Sequence, residues 1–116
     1  MLNLLDGPAQ GSFFVRRAPY FLRAVVQSDM LVEGEKDVLD QPEDQPAADE
    51  RVYVYQLDTT KEIGTMFIDG KAIHGQYVIA DYHFIPDVDG ETLRDTATWQ
   101  KWCIARAERE GINVSR

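Results

Sequence analysis

Two histidines and one aspartate are the residues of this chain whose types best suit a metal ion. Asp81 and His83 lie two positions apart in an alternating run, so they share one face of the strand that this run predicts. Carboxylate and imidazole groups are both ordinary metal ligands. His74 falls on the opposite face. A metal site of His74, Asp81 and His83 therefore requires a β-bulge that moves the His74 side chain to the face of the other two. The competing interpretation, which we favour, is two half-exposed strand histidines without metal or other cofactor.

Other motifs with catalytic or ligand-binding associations are incomplete. The stretch "DVDGETLRD", residues 87–95, lacks a third acid before its glycine and the distal glutamate of a calcium loop. "GPAQGS", residues 7–12, lacks the spacing and the lysine of a phosphate loop. Cys103 lies in the middle of a predicted helix, where nothing lowers its pKa. Because no acid and base can be paired, we expect a protein that is not an enzyme.

Arginines and aromatic residues alternate in "VRRAPYFLR", residues 15–23. Arg16, Arg17 and Arg23 beside Tyr20 and Phe21 have the chemistry to hold phosphates and stack bases. The stretch does not match the aromatic strand signature of the common RNA-recognition sheet. A strongly acidic segment follows it, so we expect these arginines to pair with that segment or with a neighbouring strand. Direct nucleic-acid binding is not expected.

The excess negative charge of the chain lies in one segment. Residues 29–50 hold nine acids and one base, whereas the remaining residues hold eleven of each, so the formal net charge of −8 arises wholly inside this segment. Pro42 and Pro46 favour an extended path there. A loop of this length without structure of its own is usually functional or disordered. A local block of charge indicates either a solvated loop or an interaction arm.

The first functional hypothesis is a non-enzymatic protein–protein interaction module. Carboxylates spaced along an extended chain can imitate phosphates for a partner's arginines and lysines, and can steer the encounter. The partner would be a protein with a basic surface, including one that binds nucleic acid, and the module would act as an inhibitor or decoy of the phage or mobile-element type. The predicted contacts are seven acids: Glu35, Asp37, Asp40, Glu43, Asp44, Asp49 and Glu50.

A second hypothesis is a structural or assembly subunit of a larger complex, such as a virion component. The sheet edge or the tryptophan-bearing helix would then make the contact, and the acidic loop would keep the monomer soluble. The third hypothesis is the small metal-dependent enzyme that uses His74, Asp81 and His83. The sequence leaves the oligomeric state open.

The length of 116 residues predicts a single domain over residues 1–116. Gly7, Pro8 and Gly11 indicate a loose lead-in over residues 1–12, and residues 28–50 are predicted to be an acidic loop inserted between strands. Arg51–Leu57 is apolar on both faces, which predicts a central strand. Asp69-Gly70 predicts a type I′ hairpin turn in which Ile68 faces Lys71.

Asp95 and Gly111 are the predicted N-cap and C-terminal stop of a helix with an apolar stripe. Together these signals predict an α+β fold, with a small antiparallel sheet of four to five strands and one C-terminal amphipathic helix packed on one face. The single cysteine fits a reducing compartment. With no apolar run of about 18 residues and no basic leader, we expect a cytoplasmic protein without membrane contact.

Overall fold

The computed structural model describes residues 1–27 and 35–112 of the chain. Six strands form one sheet in these ranges: β1 (Leu2–Leu4), β2 (Gly11–Phe13), β3 (Phe21–Gln27), β4 (Lys36–Leu39), β5 (Glu50–Ile68) and β6 (Lys71–Phe84). Their order across the sheet is β2-β1-β6-β5-β3-β4. A short 3-10 helix, Gly90–Leu93, precedes the helix α1, Thr96–Glu110.

The predicted fold class is wrong in the size and the type of the sheet. The sheet has six strands, and it is mixed because β1 pairs in parallel with β6. The structure is therefore mostly sheet rather than a small antiparallel sheet with a helix. The additional strands lie where the sequence suggested loops, β1 and β2 near the amino terminus and β4 in the acidic segment. Each is only three or four residues long, too short for a period-2 pattern to emerge.

Residues 1–12 are held in place by the central strand as well as by β6. The hydroxyl of Tyr55 donates to the Asp6 carbonyl oxygen at 2.8 Å and accepts from the Ala9 main-chain N–H at 3.0 Å. Gly7 has φ 78° at this point, and a Cβ there would lie 2.6 Å from the Cβ of Phe84. The glycine that suggested a loose lead-in is thus required by close packing.

The sheet curls until it is nearly closed, so its inner face forms a core without a covering helix. Leu2 of β1 and Val38 of β4, which lie near opposite edges in the strand order, belong to the same buried cluster. Tyr55 and Tyr82 fill the centre of this cluster and are fully buried. The second core lies on the outer face, where α1 packs against β3 and β5.

The predictions for the helix are confirmed. The Asp95 side chain accepts a hydrogen bond from the Thr98 main-chain N–H, and Gly111 ends the helix in the left-handed conformation at φ 71°. Trp99 is buried, and Trp102 meets Phe21 of β3 edge to face with ring centroids 5.1 Å apart. These contacts fix α1 on the outer face of the sheet.

The hairpin of β5 and β6 was predicted correctly, including its register. Ile68 pairs with Lys71, and Asp69 has φ 52°, as a type I′ turn requires. β5 is also confirmed as a central strand, since it pairs with β3 over residues 50–56 and with β6. Beyond that stretch β6 is the one strand that pairs with β5 within residues 1–27 and 35–112. Residues 58–79 thus project from the sheet as a two-stranded extension, which we call the ribbon.

Candidate functional site

The acidic segment, defined here as the described residues 35–50, is an ordered part of the fold. Its first part is β4, which pairs with β3 so that Val38 faces Ala24 and is buried. The chain then crosses the outer face of the sheet to the start of α1. Along this path the Asp40 carboxylate accepts from the Arg16 main-chain N–H at 2.7 Å. The segment is thus tied to the body along its length.

Arg23 holds the middle of the acidic segment in place by hydrogen bonding. Its side chain is fully buried on the outer face of β3, and its guanidinium donates to the main-chain carbonyl oxygen of Asp44. It also donates to the carbonyl oxygens of Leu93 and Arg94, at 3.2 and 3.0 Å. The guanidinium lies over the Trp99 ring, 5.1 Å from its centroid. A single buried cation thereby joins the acidic segment to the turn before α1.

Burial lowers the pKa of Arg23 from its ordinary value, and the charges of Cys103, Asp44 and Asp95 oppose this shift. Arginine stays protonated at any working pH. Within the described ranges Arg23 forms no ion pair, and its Nε has no hydrogen-bond partner. The cation is therefore compensated mainly by main-chain carbonyl dipoles, while the carboxylates of Asp44 and Asp95 accept hydrogen bonds from the main-chain N–H groups of Gln41 and Thr98.

Arg94 fastens the end of the acidic segment in the same way. Its guanidinium donates to the carbonyl oxygens of Ala47 and Glu50, and it pairs with the Glu91 carboxylate at 2.9 Å. Gln45 completes the connection, because its side chain donates to the Arg94 carbonyl oxygen at 3.0 Å and accepts from the Thr96 hydroxyl at 2.6 Å. The first turn of α1 and the acidic segment are thus one unit.

The seven predicted contact residues fall into two groups. Asp40, Asp44 and Glu50 are half-buried, and each carboxylate accepts a hydrogen bond from a main-chain N–H of a nearby loop residue. The remaining four are exposed, and we call them the exposed acids: Glu35, Asp37, Glu43 and Asp49. None of the four forms an ion pair with another residue that the structure describes. Three predicted contacts therefore brace the loop, and the four exposed acids are accessible to a partner. Two of these four also accept a hydrogen bond, Asp37 from the Val38 main-chain N–H and Asp49 from the Gln27 side-chain amide, each at 2.8 Å.

The three candidate metal ligands are not brought together. His74 lies in the ribbon, where its Nδ1 is 3.2 Å from the Thr65 hydroxyl. Asp81 accepts from Asn3 and Thr59 near the base of the ribbon. The seven residues from His74 to Asp81 span about 23 Å of extended strand. Among the described residues no group of three or more His, Cys, Asp or Glu could hold a metal ion.

Cys103 has the environment of a structural thiol. It is packed against the outer core with Trp99 and Trp102. Burial raises the pKa of Cys103 to about 12, although the positive charge of Arg23 opposes this shift. The thiolate that a nucleophile or metal ligand requires is therefore disfavoured at neutral pH.

The arginine and aromatic stretch does not form one exposed surface. Arg23 and Phe21 are buried, whereas Arg16 and Arg17 are exposed in the loop before β3. Arg17 lies 3.5 Å from the Gln41 side-chain oxygen of the acidic segment. A shallow cleft of about 100 Å³ lies between this loop and α1, lined in part by Tyr20, Phe21 and Trp99. Small-molecule sites usually measure about 300–1,000 Å³, so this cleft suits one side chain better than a ligand.

The sequence interpretation expected Arg23 to pair with the acidic segment or a neighbouring strand, and Arg23 does bond to the segment, through the Asp44 carbonyl oxygen. It missed that Arg23 is fully buried, and it missed the role of Arg94. The signal for Arg23 was present, because it shares one strand face with Phe21 and Val25, and both of these are buried. An arginine between two apolar residues on one face is a candidate for a buried cation. Arg94 gave a weaker signal, which is its position directly before the helix cap Asp95.

No protein-family model, curated protein or solved structure matches this chain. In the described ranges, no helix is long and apolar enough to cross a lipid bilayer.

Proposed function

We propose that this protein is a non-enzymatic interaction module whose acidic segment docks on the basic surface of a partner protein. One observation carries the proposal. Pairing of β4 with β3 holds the first part of the segment, and Arg23 and Arg94 hold the rest through its main-chain carbonyl groups. The backbone that carries the exposed acids is thus held in place, while these acids form no ion pair with another residue in the described ranges. A negative surface that is both ordered and unpaired is suited to a positively charged partner.

The order of the segment matters for affinity. A flexible acidic arm loses conformational entropy when it binds, whereas a segment already held by hydrogen bonds loses less. The fixed carboxylates would face arginine and lysine clusters of the kind that hold phosphates. The partner is accordingly a protein with a basic surface, and a module occupying that surface acts as an inhibitor or decoy, of the type found in phages and mobile elements. The single cysteine, the half-buried Cys103, supports a cytoplasmic setting.

The experiment compares three forms of the protein in affinity capture from nuclease-treated extract of the source cells. The first is the wild type, and the second replaces the exposed acids by their amides (Glu35→Gln, Asp37→Asn, Glu43→Gln, Asp49→Asn). The third is a control with the same change in net charge at exposed acids elsewhere (Asp58→Asn, Glu62→Gln, Asp87→Asn, Glu108→Gln). The captured proteins are identified, and each capture is repeated at high salt.

The proposal predicts that the wild type and the control capture the same basic protein at low salt. The variant that lacks the exposed acids should lose that protein, and high salt should release it from all forms, because exposed charge pairs are screened. Retention of the same partner by the variant would contradict the proposal. Capture of no basic protein by the wild type would contradict it as well.

A second candidate function is a structural or assembly subunit, and the ribbon is the observation that favours it. Phe67 at its end is 74% exposed, and Ile68 and Ile73 are 42% and 40% exposed. Ile68 and Ile73 share one face of the ribbon and Phe67 lies on the other. Exposed apolar side chains on a projecting element are typical of a surface that another chain covers. Assembly through this surface would persist at high salt, which distinguishes it from docking by the acidic segment.

A further inference from the structure

The shallow cleft between the loop before β3 and α1 is lined mainly by apolar groups. Seven of its ten lining residues are apolar or aromatic, and they include Tyr20, Phe21, Leu39 and Trp99. Its volume is about 100 Å³. An apolar cavity of about 150 Å³ takes up a benzene molecule, so this smaller cleft fits one aliphatic side chain of the size of leucine.

The residues around the cleft are held in place by contacts of their own. The carbonyl oxygen of Pro19 accepts from the Tyr82 hydroxyl, and the Tyr20 hydroxyl accepts from the Gln56 side-chain amide at 3.1 Å. Phe21 packs edge to face against Tyr20, with ring centroids 4.9 Å apart. A cleft that is formed before binding loses little conformational entropy when a side chain enters it.

The cleft lies within the proposed docking surface. Residues 39–42 of the acidic segment form part of its lining. Asp37 lies two residues before Leu39 in β4, and both lie on the outer face because Val38 between them is buried in the inner core. Two such strand residues are about 7 Å apart. Glu43 follows the lining residues directly, so a partner that contacts Asp37 and Glu43 would also cover the cleft.

The charged groups around the cleft decide which kind of side chain it can take. Arg17 and Asp40 both line it, and the guanidinium of Arg23 lies 5.1 Å from the ring centroid of the lining residue Trp99. A cation entering the cleft would meet Arg17 and Arg23, whereas an anion would meet Asp40. Either ion would also lose hydration in an apolar environment. A neutral aliphatic side chain has neither cost.

We propose that the cleft receives one aliphatic side chain, of the size of leucine, from a basic segment of the partner protein. This inference rests on the proposed function and makes it more specific, because it adds an apolar anchor to the contacts of the exposed acids. The charges steer and orient the partner, and the anchor slows its dissociation, as side chains buried in preformed pockets do at other interfaces. The partner's docking segment accordingly carries a leucine-like residue with arginines or lysines close to it.

The test uses two synthetic peptides that differ at one residue. Each peptide has seven residues with two arginines or lysines at either end, and the central residue is leucine in one and alanine in the other. Binding to the full chain is measured by NMR titration, in which the resonances of Tyr20 and Trp99 report on the cleft. The leucine peptide should bind the wild type about ten-fold more tightly, because the cleft removes its additional aliphatic surface from water.

Two methionine substitutions in α1 test whether the cleft is the binding site of the leucine. Cys103 lines the cleft, so Cys103→Met fills it without a change in charge, and the advantage of the leucine peptide should fall to about two-fold or less. Ile104→Met is the matched control, because Ile104 is 48% exposed and lies outside the cleft. It should keep the full advantage. The variant that lacks the exposed acids should weaken both peptides by a similar factor and preserve their ratio.

Equal binding of the two peptides to the wild type, with equal dependence on the exposed acids, would overturn the anchor and leave the proposed function standing. A leucine advantage with no loss of affinity in the exposed-acid variant would overturn the proposed function, and with it the basic segment. An unchanged advantage in folded Cys103→Met would place the anchor outside the cleft and overturn the inference, as would no binding of either peptide at about 1 mM. The comparison on the wild type needs no variant, so it decides the question even if Cys103→Met does not fold.

Discussion

The guanidinium of Arg23 donates to the main-chain carbonyl of Asp44, which joins a fully buried strand residue to the middle of the most acidic part of the chain. The bond goes to the backbone and not to the Asp44 carboxylate. Because the same guanidinium also bonds to Leu93 and Arg94, three segments distant in sequence meet at one cation. Both the order of the acidic segment and the position of α1 depend on this arrangement.

Replacement of Arg23 should therefore destabilise the fold and loosen the acidic segment. Arg23→Met leaves three main-chain carbonyl groups without their donor, and we expect a loss of about 2–5 kcal/mol in the free energy of unfolding. Arg23→Lys should lose less, because one ammonium group can serve some of the three acceptors. Urea unfolding measures both losses.

The matched control is Arg17→Met, which removes an exposed arginine and should change stability by no more than about 0.5 kcal/mol. Hydrogen exchange separates loosening of the segment from general instability. The amide of Glu50, which donates to the Ala47 carbonyl oxygen, should exchange faster in Arg23→Lys by a larger factor than amides of β5 and β6 do. Uniform acceleration across the sheet would argue against a local role for Arg23.

Gly90 should be irreplaceable at the contact between the 3-10 helix and β5. A Cβ added there would lie 2.1 Å from the carbonyl oxygen of Val52, which is a backbone atom held in the sheet. Gly90→Ala should cost about 2–4 kcal/mol, because either the strand or the turn must move. Gly64→Ala is the control, since its Cβ would meet nothing within 4 Å. Thermal unfolding of the two variants should differ clearly, and equal stability would contradict the close approach.

The helix cap should make stability depend on pH. Hydrogen bonds from the Thr98 N–H and hydroxyl lower the pKa of the Asp95 carboxyl. The charged carboxylate therefore stabilises the folded state above the unfolded pKa of about 3.9, and this contribution is lost as pH falls through the lower folded value. Asp95→Asn keeps an acceptor that does not titrate.

The melting temperatures of wild type and Asp95→Asn should accordingly differ by a constant amount between pH 5 and 7. The difference should change only at acid pH, where the wild-type carboxylate becomes protonated. If the difference instead varied across the neutral range, a group other than Asp95 would be responsible.

The thiol of Cys103 should be unreactive in the folded protein. Because burial raises its pKa to about 12, little thiolate forms at pH 8. The rate of labelling by a disulfide reagent should therefore be limited by the rate at which the structure opens and exposes the thiol. In denaturant the thiol should react rapidly. The raised pKa also has a consequence for stability, which should decline as pH rises above the unfolded thiol value of about 8.5. Rapid labelling of the native protein would contradict burial in the outer core.

Local signals in the sequence predicted the elements that depend on a few adjacent residues. Asp69-Gly70 specifies its turn through backbone conformation alone, and Asp95 and Gly111 bound the helix for similarly local reasons. The short strands could not be predicted in this way. Leu2 and Leu4 form a strand because β6 offers an edge to which their backbone can bond, and that edge lies almost eighty residues away.

The candidate site was predicted in its chemistry but not in its architecture. The charge count located the acidic segment, yet it could not separate the exposed acids from Asp40, Asp44 and Glu50, which are half-buried and brace the loop. That separation depends on the path of the loop, which Arg23 and Arg94 determine from distant strand and turn positions. A buried cation that binds carbonyl groups leaves only a faint pattern in sequence.

The most direct measurement of the central claim is the association rate of the captured basic partner with wild type, with the exposed-acid variant and with the charge-matched control. Fixed exposed carboxylates steer the encounter, so the wild-type rate should fall steeply with salt. The variant without the exposed acids should associate at least about ten-fold more slowly at low salt, with a weak salt dependence, while the control stays close to wild type. Equal rates for the variant and the control would contradict the claim that the acidic segment is the docking surface.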